Sequence, residues 1–233
     1  MSQRSLALCF VVVFVLASLK VEAADKLEYV FSPDGKTVWV KNPPQNTRAP
    51  EPPSAPFATI ASNLSLYPEA TYFSIWGNTI AQGGSNYPFQ TWVAEPFTPA
   101  ANATVNQIEV SAGRQGGGTA GFEIGLYNDA NGVPGTVIKS AHVSNLPIYG
   151  ECCALASVFD SVGVQVTAGT QYWVVVSTTP EDTDIYAWAF NSTNMTAQPA
   201  ASWCMGSSTY CGANSGKWTP YEYVQLGFAV LGH

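Results

Sequence analysis

The stretch VNQIEVSA, residues 105–112, sets Ile108 and Val110 on one side of an extended chain and Glu109 on the other. GFEIGLY does the same, with Phe122, Ile124 and Leu126 opposed by Glu123. Successive side chains of a strand point to opposite faces, so this period of two marks a strand with one buried side. From Phe57 onward, runs rich in Val, Ile, Tyr, Phe and Trp recur: FATIAS, ATYFSIW, QTWVAEPF, TVNQIEVSA, GFEIGLYND, TVIKSAHV, QYWVVVST, DIYAWAFN and YVQLGFAVL. No segment carries a 3.6-residue apolar stripe. About nine antiparallel strands with one face buried predict an all-β fold, a jelly-roll-like β-sandwich over 57–233.

Composition agrees. Only 11% of the chain is charged and 12% is aromatic, with 20 Gly and 16 Pro. That is poor in the Lys, Glu and Arg that coat helices and rich in strand and turn formers.

Three shorter pieces precede the body. Residues 1–23 hold one Arg, an apolar run from Leu6 to Leu19, and Val21-Glu22-Ala23. The run is short of the ~20 residues that span a bilayer, so it reads as a secretory signal cleaved before Ala24. Residues 24–41 contain two apolar runs around Pro33-Asp34-Gly35, a hairpin signal. Residues 42–56 carry six prolines and read as an extended spacer. The expected product is secreted, with no membrane span after signal cleavage. Losing Arg4, Lys20 and Glu22 leaves 7 basic and 15 acidic residues, a balance that disfavours nucleic acid and anionic membranes as partners.

Four cysteines remain after Cys9 leaves with the signal: Cys152, Cys153, Cys204 and Cys211. An even number in an exported chain predicts two disulfides, and three connectivities stay open. Adjacent cysteines in extended chain point apart and do not readily share a zinc ion, and no C-x-x-C redox motif is present.

The phrases WVAEPFTPAANATVNQIEVSAG, GFEIGLYNDANGVPGTVI, VSNLPIYGECCALAS, GVQVTAGTQYWVVVST and AWAFNSTN follow one another as in the bacterial exported choice-of-anchor domain proteins. The chain resembles that family from roughly Phe57 to Leu231. The resemblance implies an extracellular β-sandwich without established function and brings no catalytic residues. It also implies a Cys152–Cys153 vicinal bridge, leaving Cys204 with Cys211; pairing the first two with the last two is the rival. No recognisable sorting tail follows, so free secretion is expected over covalent anchoring.

Candidate sites are few. Asp129 and Asn131 in LYNDANGVPG, and Glu181, Asp182 and Asp184 in PEDTDIYAW, are the oxygen-rich places where calcium is conceivable. A hairpin turn at Asn-Gly and a solvated acidic loop are the plainer readings. Asn63, Asn102, Asn191 and Asn194 open glycosylation sequons. His142 lacks a G-x-S-x-G partner. Paired carboxylates, Glu109 with Glu123 on neighbouring strands, are the remaining catalytic route, that of a glycosidase. Tryptophans are more numerous than such a body needs. Tyr186, Trp188 and Phe190 share one face of a strand, as core or as a stacking platform for sugar rings. Trp203 and Trp218 flank the Cys204–Cys211 loop and are expected to be partly exposed. The leading expectation is therefore a secreted, non-enzymatic module for cell-surface or matrix interaction, with extracellular polysaccharide or a surface protein as partner. The alternatives are a self-assembling structural protein and a glycoside-active enzyme.

Overall fold

The structure is a computed structural model and describes residues 28–31, 37–41, 57–64, 76–83, 87–115, 121–144, 146, 148–149, 155–182, 184–189 and 197–233. The expected signal segment, the proline-rich spacer, the Cys152–Cys153 pair and the sequons at Asn191 and Asn194 lie outside the described residues.

The chain is an antiparallel β-sandwich. Its strands are β1 (Glu28–Phe31), β2 (Thr37–Lys41), β3 (Ala58–Ser62), β4 (Trp76–Ala81), β5 (Gln90–Phe97), β6 (Ala103–Val110), β7 (Ala112–Arg114) and β8 (Phe122–Asp129). They continue with β9 (Pro134–Val143), β10 (Ala156–Val166), β11 (Tyr172–Ser177), β12 (Ile185–Ala189), β13 (Ala197–Met205), β14 (Lys217–Val224) and β15 (Phe228–Gly232). Among the described residues, a short α-helix, α1 (Ser208–Cys211), followed by a 3-10 turn (Gly212–Asn214), joins β13 to β14. A curled sheet of 11 strands runs β1-β2-β4-β5-β11-β8-β9, with β12 and β7 branching from β4 and β13 and β14 branching from β5. The second sheet is β10-β6-β15-β3. The chain passes back and forth between the sheets, so strands adjacent in sequence often face each other across the core. The β1–β2 hairpin is not separate: Val38 and Trp39 pair with Gly77 and Trp76, extending the large sheet.

Alternation explains the core. Val93 and Phe97 of β5, Ile108 and Val110 of β6, Phe122, Ile124 and Leu126 of β8, Val174 and Val176 of β11, and Phe228 and Val230 of β15 meet between the sheets. The other face of the large sheet is also apolar in its centre. Ala94, Trp173, Val175 and Ala201 are buried there, with Tyr127, Val133 and Trp218 packed over them. Tyr172 and Trp173 accordingly go to opposite faces, as period two requires.

At Asn131-Gly132 the chain reverses between β8 and β9 with positive φ at both residues, 59° and 83°, and Ala130 N donates to Val133 O at 2.8 Å. That is the two-residue hairpin turn that suits strand twist.

Candidate functional site

On β5, Trp92 alternates with the core residue Val93 and so points away from the small sheet. Pairing then places Trp203 of β13 directly opposite Trp92, and Trp218 of β14 directly opposite Trp203. Three tryptophans thus stand in one row across three strands, each half-buried. The rings of Trp92 and Trp203 stack at 4.2 Å with 15° between their planes. The two rings lie face to face. Trp218 packs against the buried cluster of Ala94, Trp173, Val175 and Ala201.

The row has a polar border. Trp92 Nε1 donates to Thr178 Oγ1 at 3.0 Å, and that hydroxyl donates to Gln82 Oε1 at 2.9 Å. Gln90 Nε2 donates to the same amide oxygen at 2.7 Å. At the far end the Cys204–Cys211 disulfide, with Cα atoms 5.5 Å apart, closes the loop beyond β13. This pairing removes the partners that the crossed connectivities required. Inside the loop's base, Tyr87, Phe89 and Tyr210 form a second aromatic stack, with centroids 4.6 and 5.2 Å apart.

Two expected platform residues belong to the core instead. Trp188 and Tyr186 are each 0% exposed between the sheets, because β12 runs through the middle of the large sheet between β4 and β7. Trp188 Nε1 donates to Gly227 O at 2.8 Å, and the Tyr186 ring meets Phe122 edge-on at 5.4 Å. Burial, and after it the charges of Asp182 and Asp184, push the Tyr186 phenol well above its ordinary value. Neither side chain can reach a ligand in solution.

The glycosidase pair also fails. Glu109 lies on β6 in the small sheet and Glu123 on β8 in the large one, so they are not on neighbouring strands. Glu109 stands on the face of β6 opposite Ile108 and Val110 but is buried rather than solvated; Gln107 Nε2 donates to its Oε1 at 2.8 Å, and burial raises its pKa.

The calcium candidates are committed elsewhere. Asp129 Oδ1 accepts from Gly132 N at 3.1 Å, Gln171 Nε2 at 2.8 Å and Trp173 Nε1 at 2.9 Å. Burial pulls this carboxyl up, but those donors together hold it below its ordinary value. Asn131 is an exposed turn residue. Asp182 is buried at 1% exposure, not solvated. Its Oδ1 accepts from Gly121 N, and its Oδ2 from Thr179 N at 2.6 Å. Glu181 is exposed and accepts from Thr179 Oγ1, while Asp184 has a buried Oδ2 without a partner. Among the described residues, no group of three or more His, Cys, Asp or Glu side chains is placed to hold a metal ion.

Three further polar residues were not singled out by sequence reasoning in their actual roles. His142 Nε2 lies 2.9 Å from Asp182 Oδ1, a contact across 40 residues that local spacing cannot reveal. The Thr179 hydroxyl lies within hydrogen-bond distance of the Asp182 and Glu181 carboxylates and shares its one proton between them. Asn63, although a sequon residue, is 2% exposed and clamps β15, donating to Leu226 O and accepting from Phe228 N. Glu95 is 1% exposed with Oε1 accepting from Leu226 N at 2.9 Å, and burial lifts its pKa well above the usual range. Its signal was present, since 93, 95 and 97 share a phase.

Comparison with known proteins finds no matching family model, no matching curated protein and no matching solved structure.

Proposed function

We propose that the protein is an extracellular, non-enzymatic β-sandwich module that binds carbohydrate through Trp92, Trp203 and Trp218. The observation that carries this reading is the cross-strand tryptophan row, half-buried on the face of the large sheet that turns away from the small one. The apolar face of a pyranose packs well on an indole. In this reading the sugar lies against Trp203 on the side away from Trp92, with Trp218 as the floor. The bonds among Thr178, Gln82 and Gln90 fix the Trp92 ring from the opposite side, so the stacked pair offers the sugar a firm wall at Trp203. Secretion, as the leader-like residues 1–23 suggest, would bring this face to surface polysaccharides, in keeping with the resemblance to choice-of-anchor proteins.

The test is retention of the chain on a panel of insoluble polysaccharides, with tryptophan fluorescence titration of any hit. Trp203→Ala should weaken binding about tenfold or more while the circular dichroism spectrum stays unchanged. A chain retained by no polysaccharide, or a Trp203→Ala variant that binds as well as the parent, would sink the proposal.

A further inference from the structure

The two sheets part along one edge. β9 ends the large sheet and β10 ends the small one, and between them opens a slot of about 200 Å³. Its floor reaches the core at Ile108, Ile124 and Leu126, which are 5%, 1% and 1% exposed, and Val158 forms a wall. At the mouth, Lys139 Nζ of β9 meets Asp160 Oδ2 of β10 at 3.3 Å, a strut from one sheet to the other.

Local chain geometry builds that strut. Along β10 the pairing with β6 slips between Phe159 and Val164, so the intervening residues bulge out of the ladder. Gly163 turns the bulge with φ of +75°, where a Cβ would strike Thr104 and Asn106. Asn106 Nδ2 donates to Asp160 O at 2.9 Å and Val162 N donates to Asp160 Oδ1 at 3.1 Å, which aims Oδ2 at the lysine.

We propose that this slot binds a small uncharged amphiphile: an apolar body of one ring or a short chain, carrying a single hydroxyl. Size sets the body, since an apolar cavity of ~150 Å³ takes up benzene while drug-sized ligands need ~300 Å³ or more. Chemistry at the mouth sets the head. The bond from Val162 N, and then that from Lys139, hold Asp160 below its ordinary pKa, so Asp160 faces the mouth as a carboxylate. A carboxylate head would meet Asp160, and an ammonium would meet Lys139. A hydroxyl, the smallest such group, accepts from Lys139 and donates to Asp160 at once. Lys139 keeps two donors beyond the one aimed at Asp160, and its side chain is 58% exposed. The site lies on a different edge of the fold from the tryptophan row and does not depend on it.

Ligand-observed NMR and calorimetry with the full chain test this, using 4-propylphenol, propylbenzene, 4-propylbenzoate and 4-propylbenzylamine. The phenol should bind about fivefold more tightly than each of the others, the effect of one well-placed hydrogen bond. Lys139→Met should erase the preference for phenol over propylbenzene without weakening propylbenzene. Val158→Trp should fill the slot and abolish binding, and Trp203→Ala should leave it unchanged. The proposal falls if none of the four compounds binds, if the phenol shows no preference, or if the preference survives Lys139→Met. It also falls if a folded Val158→Trp still binds. Should Val158→Trp fail to fold, the Lys139→Met comparison decides alone.

Discussion

Glu95 occupies a core position without the means to ionise comfortably there. Removing a carboxylate from water costs far more than one amide donor from Leu226 returns, so the folded state holds the proton. The unfolded chain releases it near the ordinary value of 4.5. The native state therefore binds more protons, and stability is full below that pH and declines as pH rises toward the folded-state value. Glu95→Gln keeps an oxygen for Leu226 N and has no proton to lose. In urea titrations the variant should match the parent near pH 4 and exceed it by about 1–3 kcal/mol near pH 8. A constant difference across that range would refute the assignment. Phase alone pointed to this residue; what phase could not supply was which of the two faces of QTWVAEPF is inner, because both carry apolar side chains. The same ambiguity surrounds Trp188, where an aromatic row fits a core as readily as a platform, and only the position of β12 inside the sheet decides.

At the level of elements, the hairpin of β13 and β14 depends on its staple. Both strands contain proline, and the short α1 between them is too brief to hold itself. Cys204 and Cys211 are 7 residues apart in sequence. Closing so small a loop stabilises by about 2–3 kcal/mol in the chain-entropy account. The double variant Cys204→Ser/Cys211→Ser should lose about that much in a thermal or urea melt, and any binding at Trp203 should weaken with it. A melt unchanged by the double variant would show that the hairpin holds without the bond. This hairpin was also the least legible element. AQPAASWCM and KWTPYEYV show no regular alternation of large apolar residues, because alanines on β13 are matched to rings leaning in from neighbours. β6, β8 and β11, by contrast, were readable because each puts large apolar side chains into the core at every second position. β10 alternates too, yet its bulge throws Val162 out to 83% exposure although it keeps phase with Val158 and Val164. Contacts such as His142 with Asp182, or Trp92 with Trp203, arise only from which strands become neighbours, and no local pattern encodes that.

Across the whole molecule, the small sheet is assembled from distant parts of the chain. β15 lies between β6 and β3, pairing Val230 with Ile108 on one side and with Ala61 on the other, and Asn63 and Thr104 tie down its two ends. A chain ended after Gly227 should fail to form this sheet, losing its near-ultraviolet dichroism and becoming readily cut by protease. Retention of the native spectrum would show that β6 and β3 close without β15. The middle of the small sheet thus comes from far downstream of its partners β6 and β3. During synthesis β6 has long left the ribosome while its partner is still untranslated, and non-local pairings of this kind form slowly. Until β15 emerges, β6 and β3 each keep an open edge, so the growing polypeptide carries a sandwich with one wall missing.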